Sequence, residues 1–475
     1  MLTFFYIIYT ASALWAFISI LLYGDRPARS IAWIFIVILI PILGVLFYII
    51  FGINRKRFKF FTLNFNAKRK LYALNHNSDS IEEFKHKFDS TKYSKIGKLM
   101  RKSSGFPAID GNTVEVIKNP NEVFDKILQE IDKAEKFIHL QYYILEEGEI
   151  LDKFCSLLQK KAQEGVEVRI LYDALGSNGW SNRTIKKLKK SGVHIFPILP
   201  IKLTTILSTL NYRNHRKIVI IDGVIGFTGG VNVSDKYVKE VSPLGIWDDL
   251  HIKLEGGVVD HLHRIFIKDY YFASNDTLLA ADDDYVPKQK KAGEMLVQIV
   301  AGGPDMQYLS ILHQYAMMIH CAEESIYIEN PYFIPDKVLL EAIKMAVLRN
   351  VEVKIMVPKN IDSKVAKYSM FSRFEDLLKA GVHIYLLKDT FSHSKLIIID
   401  GELVSIGSGN FDYRSFEHNY EANTLIFDEK IAKDLKKDFE KNIEKCKTLN
   451  YEAFEKRSYK EKLLEGMARI FSPLL

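Results

Sequence analysis

The run Asn214-His215-Arg216-Lys217-Ile218-Val219-Ile220-Ile221-Asp222-Gly223, continuing to Gly229-Gly230-Val231-Asn232, has a second copy in the chain. That copy is His393-Ser394-Lys395-Leu396-Ile397-Ile398-Ile399-Asp400-Gly401, continuing to Gly407-Ser408-Gly409-Asn410. Its His, Lys, Asp and Asn each follow those of the first by 178 residues. His215 and Lys217 are two apart, so on a strand they emerge on one face, as do His393 and Lys395. The apolar run after each Lys suits a central strand buried on both faces. Asp222-Gly223 and Asp400-Gly401 are strong two-residue hairpin turns. Such a turn predicts a pairing in which residue numbers sum to 445 in the first copy and 801 in the second, with His215 opposite Gly230 and His393 opposite Ser408. Small residues there would leave room for a phosphate ester. Asn232 and Asn410 then return beside the histidines. Asp222 and Asp400 have the opposite parity and are expected to hold backbone and neighbouring side chains.

One such pattern is a weak signal, and a lone strand histidine is usually a satisfied core residue. Two copies, each followed by an Asn in a Gly-rich turn, point instead to one phosphoryl-transfer site built from both.

Shorter repeats surround the motifs and keep their order. The run 137–143 answers to 325–333, 165–171 to 350–356, and 191–195 to 380–384. These are β-branched strand-like runs separated by amphipathic stretches such as 122–136 and 309–323. The expected fold class is α/β: two halves, 108–290 and 291–475, related by a pseudo-twofold axis, with mixed sheets flanked by helices. A final helical pattern over 455–475 places Leu463, Leu464, Met467, Ile470 and Phe471 on one side. Packing on the domain is the preferred reading, lying on a membrane the alternative.

Residues 2–23 and 31–53 contain no charged side chain and are each long enough to span a hydrocarbon core of roughly 30 Å. They predict a two-helix transmembrane hairpin over 1–53, with Pro41 and Gly44 marking a kink or close packing. The first run lacks the basic flank and cleavage site of a signal peptide. Arg55, Lys56, Arg57 and Lys59 follow, which by the positive-inside rule places the rest of the chain in the cytoplasm. Residues 54–107 read as a basic tether with some helix near 80–88. The net charge of +7 is concentrated there, because 55–102 hold fourteen Lys or Arg against four Asp or Glu. A basic collar beside an acidic body suits an anionic membrane and argues against nucleic acid as a partner. Three scattered cysteines, Cys155, Cys321 and Cys446, give no disulfide framework.

With these residues in view, the paired motif resembles that of the phospholipase D superfamily. Arg26-Pro27 before Ala32-Trp33, Pro41-Ile42-Leu43-Gly44, Asn330-Pro331-Tyr332-Phe333-Ile334-Pro335 and the closing Ser472-Pro473-Leu474-Leu475 are similar to the bacterial cardiolipin synthases within it. The resemblance implies two phospholipase D-like domains that join two phosphatidylglycerols into cardiolipin and glycerol, with no metal or other cofactor. It implies catalysis by His215, Lys217, Asp222, His393, Lys395 and Asp400, with phosphate binding by Asn232 and Asn410. By family analogy His215 is the nucleophile and His393 the acid and base. A downstream carboxylate orienting each His matches Glu421 in the second half and Asp249 in the first. Asp248 stands where the family usually has Arg. A hydrolase of the same superfamily, or a phosphatidyltransferase with another acceptor alcohol, is the alternative. Residues 200–207, apolar and just before the first motif, suit lipid contact or a plain core segment. The oligomeric state is not legible.

Overall fold

The computed structural model describes residues 2–24, 27–40, 42–52, 92–200, 211–276, 279, 285, 287, 289–388 and 390–475. The helix expected near 80–88 and residues 201–207 lie outside the described residues.

The first helix runs Leu2–Tyr23. The expected second helix over 31–53 starts earlier, as Pro27–Leu39, and is not continuous. It resumes as Leu43–Phe47 and closes in a π-helical turn, Tyr48–Gly52. The break brackets Pro41, whose ring cannot donate a helical hydrogen bond and disfavours α geometry just before it. The helices pack on each other through Ala16, Ile20, Val37 and Val45. Ser19 Oγ and Tyr48 OH are 2.8 Å apart, and Tyr9 OH donates to Val37 O at 3.2 Å. Among the described residues no helix is long and apolar enough to cross a membrane.

The body is built on one 15-stranded sheet. The first half of the body supplies β1 (Ile109–Ile117), β2 (Phe137–Tyr142), β3 (Glu167–Asp173), β4 (His194–Ile198), β5 (Ile218–Ile221), β6 (Ile225–Gly229), β7 (Trp247–Asp248) and β8 (His251–Glu255). The second half supplies β9 (Met295–Gly302), β10 (Ser325–Glu329), β11 (Glu352–Pro358), β12 (His383–Leu387), β13 (Phe391–Ser392), β14 (Leu396–Ile399), β15 (Leu403–Gly407), β16 (Glu421–Phe427) and β17 (Cys446–Thr448). Apart from a separate two-stranded sheet of β7 and β13, all these strands belong to the large sheet. From edge to centre the order is β4-β3-β2-β5-β6-β8-β1, and from the other side β12-β11-β10-β14-β15-β16-β9, with β17 outside β12. β1 and β9 meet antiparallel in the middle. β2, β3 and β4 are parallel, joined by the helices Glu149–Gln163 and Asn182–Lys190, and so are buried on both faces. One apolar cluster takes side chains from both halves, including Leu262 and Phe266 from the first and Ile398 and Phe439 from the second. The halves share a core.

The hairpin register differs from expectation by one residue. β5 and β6 pair Ile218 with Thr228 and Ile221 with Ile225, so numbers sum to 446. β14 and β15 show the same shift, pairing Leu396 with Ile406. The Asp-Gly turn itself forms: Asp222, Gly223, Asp400 and Gly401 all have positive φ, and Val224 N donates to Ile221 O at 3.1 Å. The pairing resumes one residue late, leaving exposed Val224 as a bulge.

The motif aspartates do the bracing their parity suggested. Asp222 accepts from the backbone N–H of Glu135, Lys136 and Phe137 at 2.8–2.9 Å, fixing the start of β2. Asp400 accepts from Glu323, Glu324 and Ser325 at 2.8–3.1 Å, and from Lys92 Nζ and Tyr93 OH at 3.1 Å. Burial opposes its charge, but these donors hold its carboxyl below the ordinary range. Both lie at the strand ends away from the histidines. Asp400→Ala strands several N–H groups, so the unfolding midpoint is expected to fall by about 4 °C or more with KM unchanged, checked by thermal denaturation beside kinetics.

The contact with Lys92 and Tyr93 revises the tether. Helix Ser94–Ser104 buries Ile96 and Met100 in the second half's core, and Gln298 Nε2 donates to Gly97 O and Phe106 O at 3.1 and 2.7 Å. The described body begins at Lys92, not Ala108. The reason is amphipathicity: two apolar side chains four apart suffice to dock a short basic helix.

Candidate active site

The last residues before each motif histidine pair with a strand of the other half. His215 N donates to Tyr420 O at 2.9 Å, and Tyr420 N to Arg213 O at 2.8 Å. Correspondingly β13 runs parallel to β7, and His393 N donates to Asp248 O at 2.6 Å. Each histidine therefore lies beside the residue preceding a carboxylate of the opposite half, and the two halves complete one another's sites.

The carboxylates cross accordingly. His215 Nδ1 is 3.1 Å from Glu421 Oε2 and 3.1 Å from Ser408 O. His393 Nδ1 is 2.7 Å from Asp249 Oδ2. Both carboxylates were foreseen. What the sequence did not reveal is that each serves the histidine of the other half. In both rings these bonds fall on Nδ1.

Lys217 Nζ donates to His215 O at 2.7 Å, and Lys395 Nζ donates to His393 O, so each lysine curls toward its own histidine. Lys395 Nζ also lies 2.7 Å from His393 Nδ1 and 3.4 Å from Asp249 Oδ2. Asn232 Oδ1 accepts from Ile144 N at 3.2 Å, and its amide donates to Tyr237 OH at 3.4 Å. Tyr237 OH in turn is 3.4 Å from His393 Nδ1. Asn410 is buried with its N–H on Ser415 Oγ at 3.0 Å, and its side-chain oxygen has no partner among the described residues. Asp222 and Asp400, expected in the catalytic set, touch neither histidine.

The small residues after the hairpins serve the carboxylates, not an open space. A Cβ on Gly230 would stand 2.0 Å from Asp249 Oδ1, so only glycine lets that side chain pass. Ser408 donates its hydroxyl to Glu421, as do Ser415 Oγ at 2.9 Å and Asn419 Nδ2 at 3.3 Å.

Further residues escaped sequence reading. Arg216, fully buried, donates to both oxygens of Asp269 at 2.7 and 2.9 Å, and to Gly302 O and Glu421 O at 2.8 and 3.1 Å. It ties the first motif to the strand that bears Glu421. Tyr143 stands edge-on to His215, with ring centroids 4.8 Å apart, and under Lys217 at 5.6 Å. Arg216 lay inside the quoted motif, and its parity, opposite to that of His215 and Lys217, was the available signal.

Burial and mutual repulsion set the protonation of this cluster. Burial first, then the charge of Lys395, push Lys217 down to about 7. Burial also lowers Lys395, although Asp249 and Glu421 oppose it. His215 is lowered by burial against the pull of Glu421, and His393 falls further through burial, Lys395, Lys217 and His215. Glu421 stays below the carboxylate range despite burial because His215, Lys217 and Ser408 favour its charge. Asp249 is raised by burial, which outweighs Lys395 and Lys217. A buried cluster that disfavours its own positive charge is chemically suited to an anion, whose charge would offset that repulsion.

Residues 127–270 and 315–443 match a family model described as cardiolipin synthase, PLD-like domain, and residues 11–52 match one described as phospholipase D-nuclease N-terminal. Cardiolipin synthase 1 of Bacillus anthracis is 38% identical over 94% of this chain and 89% of its own length. The cardiolipin synthase of Geobacillus kaustophilus is 36% identical over 99% of this chain and 94% of its own. Phosphatidylserine synthase of Haemophilus influenzae superposes with a TM-score of 0.61 at 17% identity, over 80% of this chain and 100% of that one, a likeness of fold.

Proposed function

Because the chain belongs to the cardiolipin synthase family with phospholipase D-like domains, we propose that its crossed histidines transfer a phosphatidyl group between two phosphatidylglycerols. The enzyme is a phosphatidyltransferase, and its products are cardiolipin and glycerol. The observation that carries the residue assignment is the Nδ1–carboxylate pair on each side of the interface between halves.

In the first step Nε2 of His215 attacks phosphorus, the bond to the glycerol oxygen breaks, and His393 gives that oxygen its proton. In the second, His393 takes the proton from a primary hydroxyl of another phosphatidylglycerol. That oxygen attacks phosphorus and the P–N bond breaks. Lys217 and Lys395 balance the charge on the phosphoryl oxygens, with Asn232 and Asn410 beside them. His215 suits the nucleophile's role because ionised Glu421 accepts from its Nδ1–H and so fixes the neutral tautomer with a lone pair on Nε2. Two in-line displacements give net retention at phosphorus. The segments 108–290 and 291–475 are taken as the two catalytic halves, a division supported by the two matched stretches.

The N-terminal helices are read as a two-span hairpin that holds the body at the cytoplasmic face. Support comes from the two uncharged runs, the packing between them and the basic cluster at Arg55, Lys56, Arg57 and Lys59. Purified protein in phosphatidylglycerol vesicles with a chelator present should yield cardiolipin and glycerol in equal amounts. Phosphatidic acid as the main product would overturn the transferase reading.

The lowered lysine gives a pH test. Lysine is charged below its pKa, so a value of about 7 means Lys217 loses its charge near neutrality. His393 must also carry the proton it gives to glycerol, and it lies well below the ordinary histidine value, so it and not Lys217 sets the alkaline limb of kcat/KM, which is expected below about pH 7. The acid limb reports His215, which must be neutral to attack and is lowered as well. Lys217→Arg should therefore leave the alkaline limb in place, since guanidinium stays charged. A limb that moves up by more than about one pH unit assigns it to Lys217.

A further inference from the structure

The C-terminal helix, Tyr459–Ile470, has its apolar face turned away from the protein. Tyr459 is 83% exposed, Leu463 55%, Met467 53%, Ile470 76% and the following Phe471 50%. At about 100° per residue these five fall within an arc of about 120°. The face that packs on helix Lys364–Phe371 carries instead Ala468 and the buried Glu465. Glu465 is held by Arg457 at 2.7–3.0 Å, and Arg457 also binds Glu375 at 2.6 Å. A reciprocal cap between Ser458 and Glu461 fixes the start of the helix. Of the apolar residues expected to pack on the domain, Leu464 is half-buried but Leu463, Met467, Ile470 and Phe471 are exposed, because an ion-pair network anchors the helix by its polar side.

We propose that this helix lies in the surface of an anionic phospholipid bilayer and seats the active-site mouth on it. Three observations favour lipid as the occupant. The charge is arranged to match: Lys460 lies within the apolar stripe, Lys462 and Arg469 flank one side of it, Glu465 is turned inward, and Glu461, on the other side, is engaged by the Ser458 backbone N–H at 2.9 Å. Long lysine side chains on such a stripe reach the headgroup layer while their stems stay in apolar surroundings. The end of the helix is also continuous with the site. Leu475 O accepts from Arg414 N at 2.9 Å, and Arg414 donates to Asn211, close before His215, at 3.3 Å. Ser415, in the same short helix as Arg414, holds Glu421. Third, each substrate has its phosphodiester at the headgroup layer and its chains in the bilayer. In this respect the inference rests on the functional reading above.

The test uses the full chain in phosphatidylglycerol vesicles, with Cys155, Cys321 and Cys446 replaced by alanine and an environment-sensitive fluorophore on Met467→Cys. Acyl-brominated phosphatidylglycerol is expected to quench this label several-fold and to leave a label on Lys433→Cys unquenched. A label at 467 that is water-exposed overturns the proposal. So does one shifted by protein concentration but not quenched by lipid, which would show a second copy covering the helix. In parallel, Leu463→Glu with Ile470→Glu should raise the vesicle KM, in surface mole fraction, at least fivefold. Turnover of monomeric dihexanoyl phosphatidylglycerol should be unchanged. Equal loss on both substrates, or on neither, refutes surface docking. Wild-type protein that makes cardiolipin from neither refutes the functional reading and leaves the quenching result to stand alone.

Discussion

His215→Ala is expected to lower cardiolipin formation by at least about 10⁴-fold, because it removes the atom that bonds to phosphorus. His393→Ala should cost about 10²–10⁴-fold, the range for losing a general acid and base. Loss of activity alone would not tell the two roles apart. A substrate with an activated leaving group does. Nitrophenolate departs without a proton, so phosphatidyl-p-nitrophenol spares the first step its acid and leaves the second in need of a base. His393→Ala should then release one equivalent of nitrophenolate in a burst and accumulate an acid-labile phosphatidyl adduct on the protein. His215→Ala should show neither burst nor adduct. An adduct in His215→Ala and none in His393→Ala would exchange the two roles. The expectation favours His215 on one asymmetry: Glu421 is held ionised beneath it, whereas Asp249 beneath His393 is raised by burial and shares its histidine with Lys395.

Why some of this was legible and some not follows from the range of each interaction. The duplicated motif, the strand positions and the bracing role of Asp222 and Asp400 depend on local periodicity and parity, which sequence carries directly. The bulge at Val224 shifts a register by one residue without altering the Asp-Gly turn that predicts it. The exchange of carboxylates is non-local. Glu421 and Asp249 were found by their place after each motif, but their partners are decided by two short parallel pairings between halves, at Tyr420 and at Trp247–Asp248. Arg216 shows a related limit. Its counterpart is Ser394, which lacks its charge and reach, so the repeat hid a residue that joins the first motif to Gly302, Glu421 and Asp269. The C-terminal helix does pack on the domain, but the side by which it packs was misread, for a different reason. Apolar periodicity reports which residues share a face, but it does not say whether protein or lipid covers that face.

The crossed geometry makes its own strong prediction at Glu421→Gln. The substitution keeps size and shape but removes the charge, and the amide can now present N–H to His215 Nδ1. Facing a donor, the imidazole gains by moving its proton to Nε2, the nitrogen that must attack. Ser408 O, also 3.1 Å from Nδ1, accepts a proton and opposes this change, so a fraction of correctly disposed rings persists. Ser415 and Asn419, which donate to the other carboxylate oxygen, still find the amide oxygen, and Ser408 Oγ can turn to accept from the amide N–H, so the fold should survive. A loss of about 10²–10⁴ in kcat/KM is therefore expected, with little change in unfolding temperature. The informative readout is which step slows. If Glu421 orients His215 across the interface, the Gln variant should lose the nitrophenolate burst rate itself. Asp249→Asn, acting on His393, should keep the burst and slow the transfer to the second phosphatidylglycerol. Carboxylates serving the histidine of their own half would give the opposite pattern, Glu421→Gln sparing the burst and Asp249→Asn removing it.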